Sequence, residues 1–326
     1  EIRLVRMIIN SEKKVKTNME TNYHRRLEQI KEKFSNAYEP WEEKEDDDKN
    51  IDLALRPKTW QEYVGQEKVK RNLKILIEAA KKRSESCDHL LLYGAAGLGK
   101  TTLAHLVAKE MEADIKVTSG PALEKTGDLA SVLSNLEPGD VLFIDEAHRL
   151  NKVVEEILYP ALESRRLHII IGKGPGARTL SLELTPFTLI AATTRIGLIS
   201  NPLRSRFGVI ARLDYYKLND IEAIIKRSSR ILGCQIEPEA IEIIAAASRF
   251  TPRIANRLLK RSRDYAQVYG QGIISKEISQ KTLSSLEIDN LGLEPHDRRL
   301  LQVLIKKFNG GPVGLSTLAA SLNEEK

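Results

Sequence analysis

The sequence predicts an α/β protein: a parallel sheet flanked by helices, then a small all-helical domain, then the beginning of a third unit. Three observations predict it. The runs Leu90–Tyr93, Val141–Ile144 and Leu189–Thr193 are apolar without alternation, the pattern of strands buried on both faces. Helical patterns separate them, which favours parallel crossovers over hairpins. From about Lys217 the strand signals stop and amphipathic stretches follow. A chain of 326 residues with 41% hydrophobic and 29% charged residues can bury two or three cores of ordinary composition.

Taken in order, residues 1–50 read as a charged extension, rich in Lys and Glu, with an acidic run from Glu42 to Asp48. Such blocks stay solvated and disordered, with room for one short helix near Tyr23–Phe34. Residues 51–216 form the large domain. Its first strand ends in Gly94 and runs into a helix from Lys100 to about Met111. Residues 217–287 form the helical domain, with helices at Asn219–Leu232, Pro238–Ser248, Thr251–Tyr269 and Ser275–Leu286. Residues 288–326 hold a helix at Asp297–Lys307 and the turn Gly310-Gly311-Pro312-Val313-Gly314.

The net charge of +6 and pI near 9.1 permit a nucleic-acid partner without requiring one. Cys87 and Cys234 stand far apart, with no C-x-x-C pair. A disulfide framework and a zinc site are therefore not expected, and two lone thiols fit a reducing cytoplasm. No apolar run reaches the ~18 residues of a membrane helix, and Glu1–Asn10 lacks signal-peptide organisation.

Gly94-Ala95-Ala96-Gly97-Leu98-Gly99-Lys100-Thr101 fits G-x-x-x-x-G-K-[ST] between a strand and a helix. Glycines let backbone N–H groups curl around phosphates, and the helix N-terminus adds positive potential. Lys100 would neutralise the β and γ phosphates, and the Thr101 hydroxyl would ligate Mg²⁺. Further along, Val141-Leu142-Phe143-Ile144-Asp145-Glu146 delivers two carboxylates at a strand's C-terminal end. Asp145 would hold Mg²⁺ through water, and Glu146 would act as general base. Together the two motifs point to hydrolysis of ATP rather than to binding alone. In Leu189-Ile190-Ala191-Ala192-Thr193-Thr194-Arg195 a polar residue at the strand end can orient the lytic water. Thr194 is favoured over Thr193, against the plainer reading of a Thr capping a loop.

Arginines supply the rest. Pro202-Leu203-Arg204-Ser205-Arg206-Phe207-Gly208 offers Arg206 as an arginine finger reaching a neighbouring subunit's γ-phosphate. The alternative is a surface ion pair of little energetic weight. Thr251 and Pro252 read as N-cap and first residue of a helix, which puts Arg253 in the first turn against the dipole. That local cost suggests a phosphate contact. Arg257 and Arg261, lower on the same face, read as a solvated basic stripe.

These elements together resemble the AAA+ superfamily of P-loop NTPases, and the words around them resemble the RuvB family. Leu55-Arg56-Pro57-Lys58-Thr59 with Glu62-Tyr63-Val64-Gly65-Gln66 is similar to the family's adenine-pocket segment. HLLLYGAAGLGKTTLAHLVAK from His89, FIDEAHRL from Phe143 and EEILYPAL from Glu155 match too. So do Arg204–Gly208, TPRIANRLLKRSRD from Thr251 and GGPVG from Gly310. The resemblance runs almost continuously from Leu53 to Asn323.

What the resemblance implies is an AAA+ ATPase domain, a helical lid, and part of a winged-helix DNA-binding head. It implies a homo-hexameric, cytoplasmic motor that moves duplex DNA through a Holliday junction held by RuvA in recombination and repair, with the resolvase RuvC a further candidate partner. The family's nucleotide contacts carry over to Leu55, Arg56, Tyr63, Val64, Gly97, Gly99, Lys100, Thr101, Thr102, Arg206, Tyr216 and Arg253, and to a stretch at Glu163–Arg165. Leu167–Leu184 alternates around Gly172-Lys173-Gly174-Pro175-Gly176 as a hairpin. The resemblance makes it the RuvA docking element, while the residues alone allow a plain structural hairpin. Ala95-Ala96 stands where the family usually has two prolines, and Ser164-Arg165 where it has an acidic–aromatic pair. Two other readings stay open: a different AAA+ activity such as a clamp loader or protein remodeller, and an assembly protein that binds nucleotide without turnover.

Overall fold

A computed structural model describes residues 51–171 and 178–324. The expected extension with its Tyr23–Phe34 helix and the Gly172–Gly176 turn lie outside those residues. The chain divides into two units between Ala54 and Leu55, and the second is the one described below.

The second unit opens on α1 (Glu67–Arg83), β1 (Leu90–Tyr93), α2 (Lys100–Glu110), β2 (Ile115–Ser119), α3 (Thr126–Ser134), β3 (Val141–Asp145) and α4 (Lys152–Ser164). The hairpin β4 (Arg166–Ile171) and β5 (Arg178–Glu183) comes next, then β6 (Thr188–Thr193), a short α5 (Asn201–Arg204) and β7 (Val209–Arg212). β2, β3, β6, β1 and β7 lie side by side in that order, all parallel. The three expected strands are the three central ones. β2 and β7 are the edges, where Val117 is 56% exposed and Ile210 43%; β2 carries Lys116 and Thr118, and the apolar run of β7 is only Val209–Ala211.

Side chains alternate along each central strand and feed two cores. Leu90, Leu92, Val141, Phe143, Ile190 and Ala192 face one side, and Leu91, Leu142, Ile144, Leu189 and Ala191 the other. A strand clothed on both faces has no polar phase, which is why these read as unbroken apolar words.

After the sheet come α6 (Leu218–Ile231), α7 (Pro238–Ala246), α8 (Pro252–Tyr269) and α9 (Lys276–Ser285). α8 buries Ala255, Leu258, Leu259, Ser262 and Ala266, an i, i+3, i+4, i+7 stripe. Its apolar face joins the core that covers one side of the sheet. Contrary to expectation this part is not wholly helical. β8 (Gln235–Ile236) and β9 (Ile273–Ile274) form a two-residue parallel pair, too short for a sequence pattern, where the chain after α6 passes the chain after α8. Thr251 does occupy the N-cap position of α8, but its hydroxyl donates to the Ser248 carbonyl at 3.1 Å and caps nothing. α10 (Pro295–Phe308) and α11 (Leu315–Leu322) complete the described chain. Among the described residues no helix is long and apolar enough to cross a membrane.

Candidate functional site: two half-sites at opposite ends of the sheet

The phosphate loop leaves the C-terminal end of β1 on three glycines with positive φ. Gly94 (149°), Gly97 (79°) and Gly99 (94°) each adopt backbone that L side chains rarely take. The loop is also closely covered. A Cβ on Gly94 would meet the Leu213 carbonyl oxygen at 2.5 Å, and one on Gly99 the Tyr63 hydroxyl at 2.9 Å. Lys100 opens α2 and is 6% exposed. Its ammonium donates to the carbonyls of Gly94 and Ala95, both at 2.9 Å. Burial pushes this amine below the usual lysine range, while the charges of Asp145 and Glu146 hold it up. Thr101 and Thr102 follow in the first turn of α2.

Two buried tyrosines brace the loop. The Tyr216 hydroxyl donates to the Leu98 carbonyl at 3.2 Å, and the Tyr63 hydroxyl lies 3.5 Å from the carbonyls of Leu98 and Gly99. Burial, then the neighbouring Tyr216, raises the Tyr63 phenol well above its ordinary value. Arg253 arrives from the first turn of α8, its stem against Gly97. Leu55 is buried, and Val64 packs against the core that holds Tyr63 and Tyr216. Burial first, and then the charge of Arg56, lowers the imidazole of His105 on α2.

The carboxylates stand at the end of β3, next to β6. The backbone N–H of Glu146 donates to Asp145 Oδ1 at 2.9 Å, and Glu146 takes a left-handed φ of 49°. That turn aims its side chain at the end of β6, where the Thr194 hydroxyl donates to Glu146 Oε2 at 3.4 Å. Thr193 is turned away and fully buried, with its hydroxyl 2.9 Å from His148 Nδ1. The same nitrogen lies 3.2 Å from Glu146 Oε2. A carboxylate only accepts, so that contact needs the proton on Nδ1. Lys100, Asp145, Glu146 and Thr194 thus gather at one end of three adjacent strands, where open α/β sheets place ligands.

Arg206, Glu163 and Arg165 do not join them. Arg206 lies just before β7, whose first residue, Val209, donates its backbone N–H to the His89 carbonyl at 3.3 Å. Glu163 and Arg165 end α4, where the Leu162 carbonyl meets His89 Nε2 at 3.3 Å. His89 precedes β1 and Gly94 follows it. The two groups therefore sit at opposite ends of the sheet, with roughly 16 Å of strand between them at about 3.3 Å per residue. Arg206 pairs with Glu163 at 3.0 Å. Arg204 instead donates to the carbonyls of Ile196 and Ile199 at 3.0 and 3.4 Å, a structural post.

Four contributors escape a reading of the sequence. Arg227 on α6 donates to the carbonyls of Leu55 (2.9 Å) and Arg56 (3.4 Å) and pairs with Glu62 (3.0 Å), clamping that segment. The Gln66 side chain exchanges two hydrogen bonds with the Asp214 backbone, at 2.6 and 3.2 Å. Gly120 admits the Glu146 carbonyl, which a Cβ would meet at 2.5 Å. His148 is the fourth. Gln66 and His148 stand inside segments that resemble the family's, but neither had a role assigned from the sequence.

Comparison with known proteins shows the family. The family model of the Holliday junction DNA helicase RuvB P-loop domain matches residues 55–213. Those of the RuvB AAA lid domain and the RuvB C-terminal winged helix domain match residues 216–289 and 290–326. The chain belongs to the RuvB family. Its structure is similar to that of the Thermotoga maritima RuvB Holliday junction branch migration motor, with a TM-score of 0.76 and 51% identity over 83% of this chain and 86% of that one. Two single-substitution variants of the same protein match with TM-scores of 0.76 and 0.75 at 51% and 50% identity, over the same shares of each chain. As a RuvB-family member this is an AAA+ ATPase of the branch-migration class, with a nucleotide-binding P-loop domain, a lid and a winged-helix portion.

Proposed function

We propose that this RuvB-family chain hydrolyses ATP at the junctions between identical subunits of a hexameric ring, and so drives Holliday-junction branch migration with RuvA in recombination and repair. One observation carries the reading. Lys100, Asp145, Glu146 and Thr194 are at one end of the sheet and Arg206 is at the other, which supports a finger supplied to each site by a second copy.

Within that site Lys100 and Arg253 bind the phosphates, and the Leu55–Val64 segment with Tyr216 lines the base pocket. Glu146 draws the proton from the attacking water, and Thr194 fixes the direction of its carboxylate. Arg206 of the adjoining copy neutralises charge that builds on the γ-phosphate oxygens, with Glu163–Arg165 beside it. Thr101 and Asp145 fit a magnesium ion, because both offer hard oxygen donors, and that metal takes few protein ligands beside phosphates and water. When bound, it supplies charge neutralisation across the phosphates.

The division we propose is an extension at 1–50, an ATPase domain at 51–216, a lid at 217–287 and a partial DNA-binding head at 288–326. The antiparallel pairing of β4 with β5 supports a docking element for RuvA at residues 167–184. RuvC is proposed as a further partner and the cytoplasm as the compartment. The test is ATP turnover on a synthetic four-way junction with RuvA. The proposal expects junction and RuvA together to accelerate hydrolysis and ATP to be needed for strand exchange. Turnover indifferent to both would favour a different AAA+ activity.

A further inference from the structure

Helix α4 presents Glu155, Tyr159 and Glu163 at intervals of four, one stripe on one face. All three act on the segment that carries Arg206. Glu155, itself buried, accepts a short hydrogen bond from the Ser200 hydroxyl. That hydroxyl lies 3.0 Å from the Tyr159 hydroxyl and accepts the Leu203 backbone N–H at 3.2 Å, capping α5. So pinned, the Tyr159 ring faces the Arg206 guanidinium at 4.5 Å, a cation–π distance. Glu163 then takes one guanidinium nitrogen at 3.0 Å, and the Pro202 carbonyl takes another. The guanidinium is thus fixed on a ring face, a carboxylate and a carbonyl, each from a different residue, while its Nε is buried without a partner.

We propose that Tyr159 and Glu163 are positioning residues for the Arg206 finger, setting where its guanidinium stands when it meets the neighbouring subunit's nucleotide. The proposal rests on Arg206 acting across the subunit boundary. An arginine is a long, rotamer-rich side chain, and a free one enters a neighbour's site in many geometries. The ring fixes its plane and the carboxylate its rotation. Glu163 is also a candidate nucleotide contact in its own right, and the two roles predict different results.

The experiment compares ATPase kinetics of Glu163→Ala, Tyr159→Leu, Tyr159→Phe and Arg206→Ala in the full chain. For Glu163→Ala and Tyr159→Leu we expect kcat to fall about tenfold, with KM within about twofold, as for a misplaced transition-state group. Tyr159→Phe keeps the ring face and recovers most of the rate that Tyr159→Leu loses. Mixing Glu163→Ala subunits with Lys100→Ala subunits restores turnover, because the Lys100→Ala neighbours bring intact fingers. If Arg206→Ala abolishes turnover while both cradle variants stay within twofold of wild type, the cradle is overturned and the finger stands. A Glu163→Ala loss that raises KM with kcat unchanged assigns Glu163 to nucleotide contact and also overturns it. A fully active Arg206→Ala protein overturns the trans finger itself.

Discussion

The stem of Arg253 lies directly on Gly97: a Cβ added to that glycine would come within 2.8 Å of the arginine Cβ. The first turn of the lid's long helix is therefore seated on the phosphate loop. The same contact therefore ties the shape of the loop to the seating of that helix.

Gly97→Ala breaks this contact twice, through the clash and through a φ of 79° that alanine adopts only under strain. Titration with a fluorescent ATP analogue should show affinity reduced at least about tenfold, equivalent to roughly 1.4 kcal/mol. The melting temperature should fall less than for a core cavity. Unchanged affinity would mean that the loop tolerates lifting of the lid.

Arg227→Ala removes two hydrogen bonds and an ion pair between α6 and the Leu55–Glu62 segment. Its side chain is 19% exposed, so the loss should be felt, at about 2 kcal/mol by denaturant unfolding. Nucleotide binding should weaken in parallel, because Leu55 and Arg56 lose their anchor. Loss of stability with intact binding would detach that segment from the base pocket.

Glu146→Gln keeps the size of the side chain and the Thr194 contact but removes the base. Steady-state turnover should drop by ~10² to 10⁴, with nucleotide binding preserved. His148→Ala should cost less, since the imidazole only steadies the carboxylate it touches at 3.2 Å. Equal turnover in Glu146→Gln and wild type would remove Glu146 from the chemistry.

Acid should destabilise the fold through His89. Its Nδ1 accepts the Leu189 backbone N–H at 2.9 Å and its Nε2 donates to the Leu162 carbonyl, so both nitrogens are committed in the neutral ring. Burial pushes its pKa below the ordinary histidine value, and burial with Arg56 does the same to His105. A folded pKa below the unfolded one means that the unfolded chain binds more protons. The stabilisation is then complete above the ordinary value of about 6.5 and is lost as pH falls from there towards the depressed folded values. Thermal melts between neutral pH and mild acid should show that decline, and His89→Gln should flatten it. A parallel slope in the variant would assign the decline to other groups.

The legible part of the molecule was the part with one-dimensional chemistry. Leu90–Tyr93, Val141–Ile144 and Leu189–Thr193 read as strands because they are buried on both faces, and the glycine loop reads as a loop because its spacing is its function. Thr194 and Thr193 are not told apart by any pattern in the sequence; in the structure the Thr194 hydroxyl meets Glu146 and the Thr193 hydroxyl meets His148. The edge strands Ile115–Ser119 and Val209–Arg212 were not legible, since the first alternates with polar residues and the second offers only three apolar ones in a row. Nor were the contacts of Arg227 and Gln66, whose partners lie 148 to 172 positions away in the chain. The placement of Arg206 opposite Lys100 is a matter of strand direction and sheet order, which no local pattern encodes.

The most direct measurement is ATP turnover in mixtures of Lys100→Ala and Arg206→Ala subunits. Each alone should be inactive, one lacking the phosphate grip and the other the finger. Mixed rings juxtapose an intact Lys100 site with an intact Arg206 from the adjoining copy, so the account predicts that activity returns and peaks near equal proportions. Activity that stays absent at every ratio, with rings still assembled, would contradict a site built from two subunits.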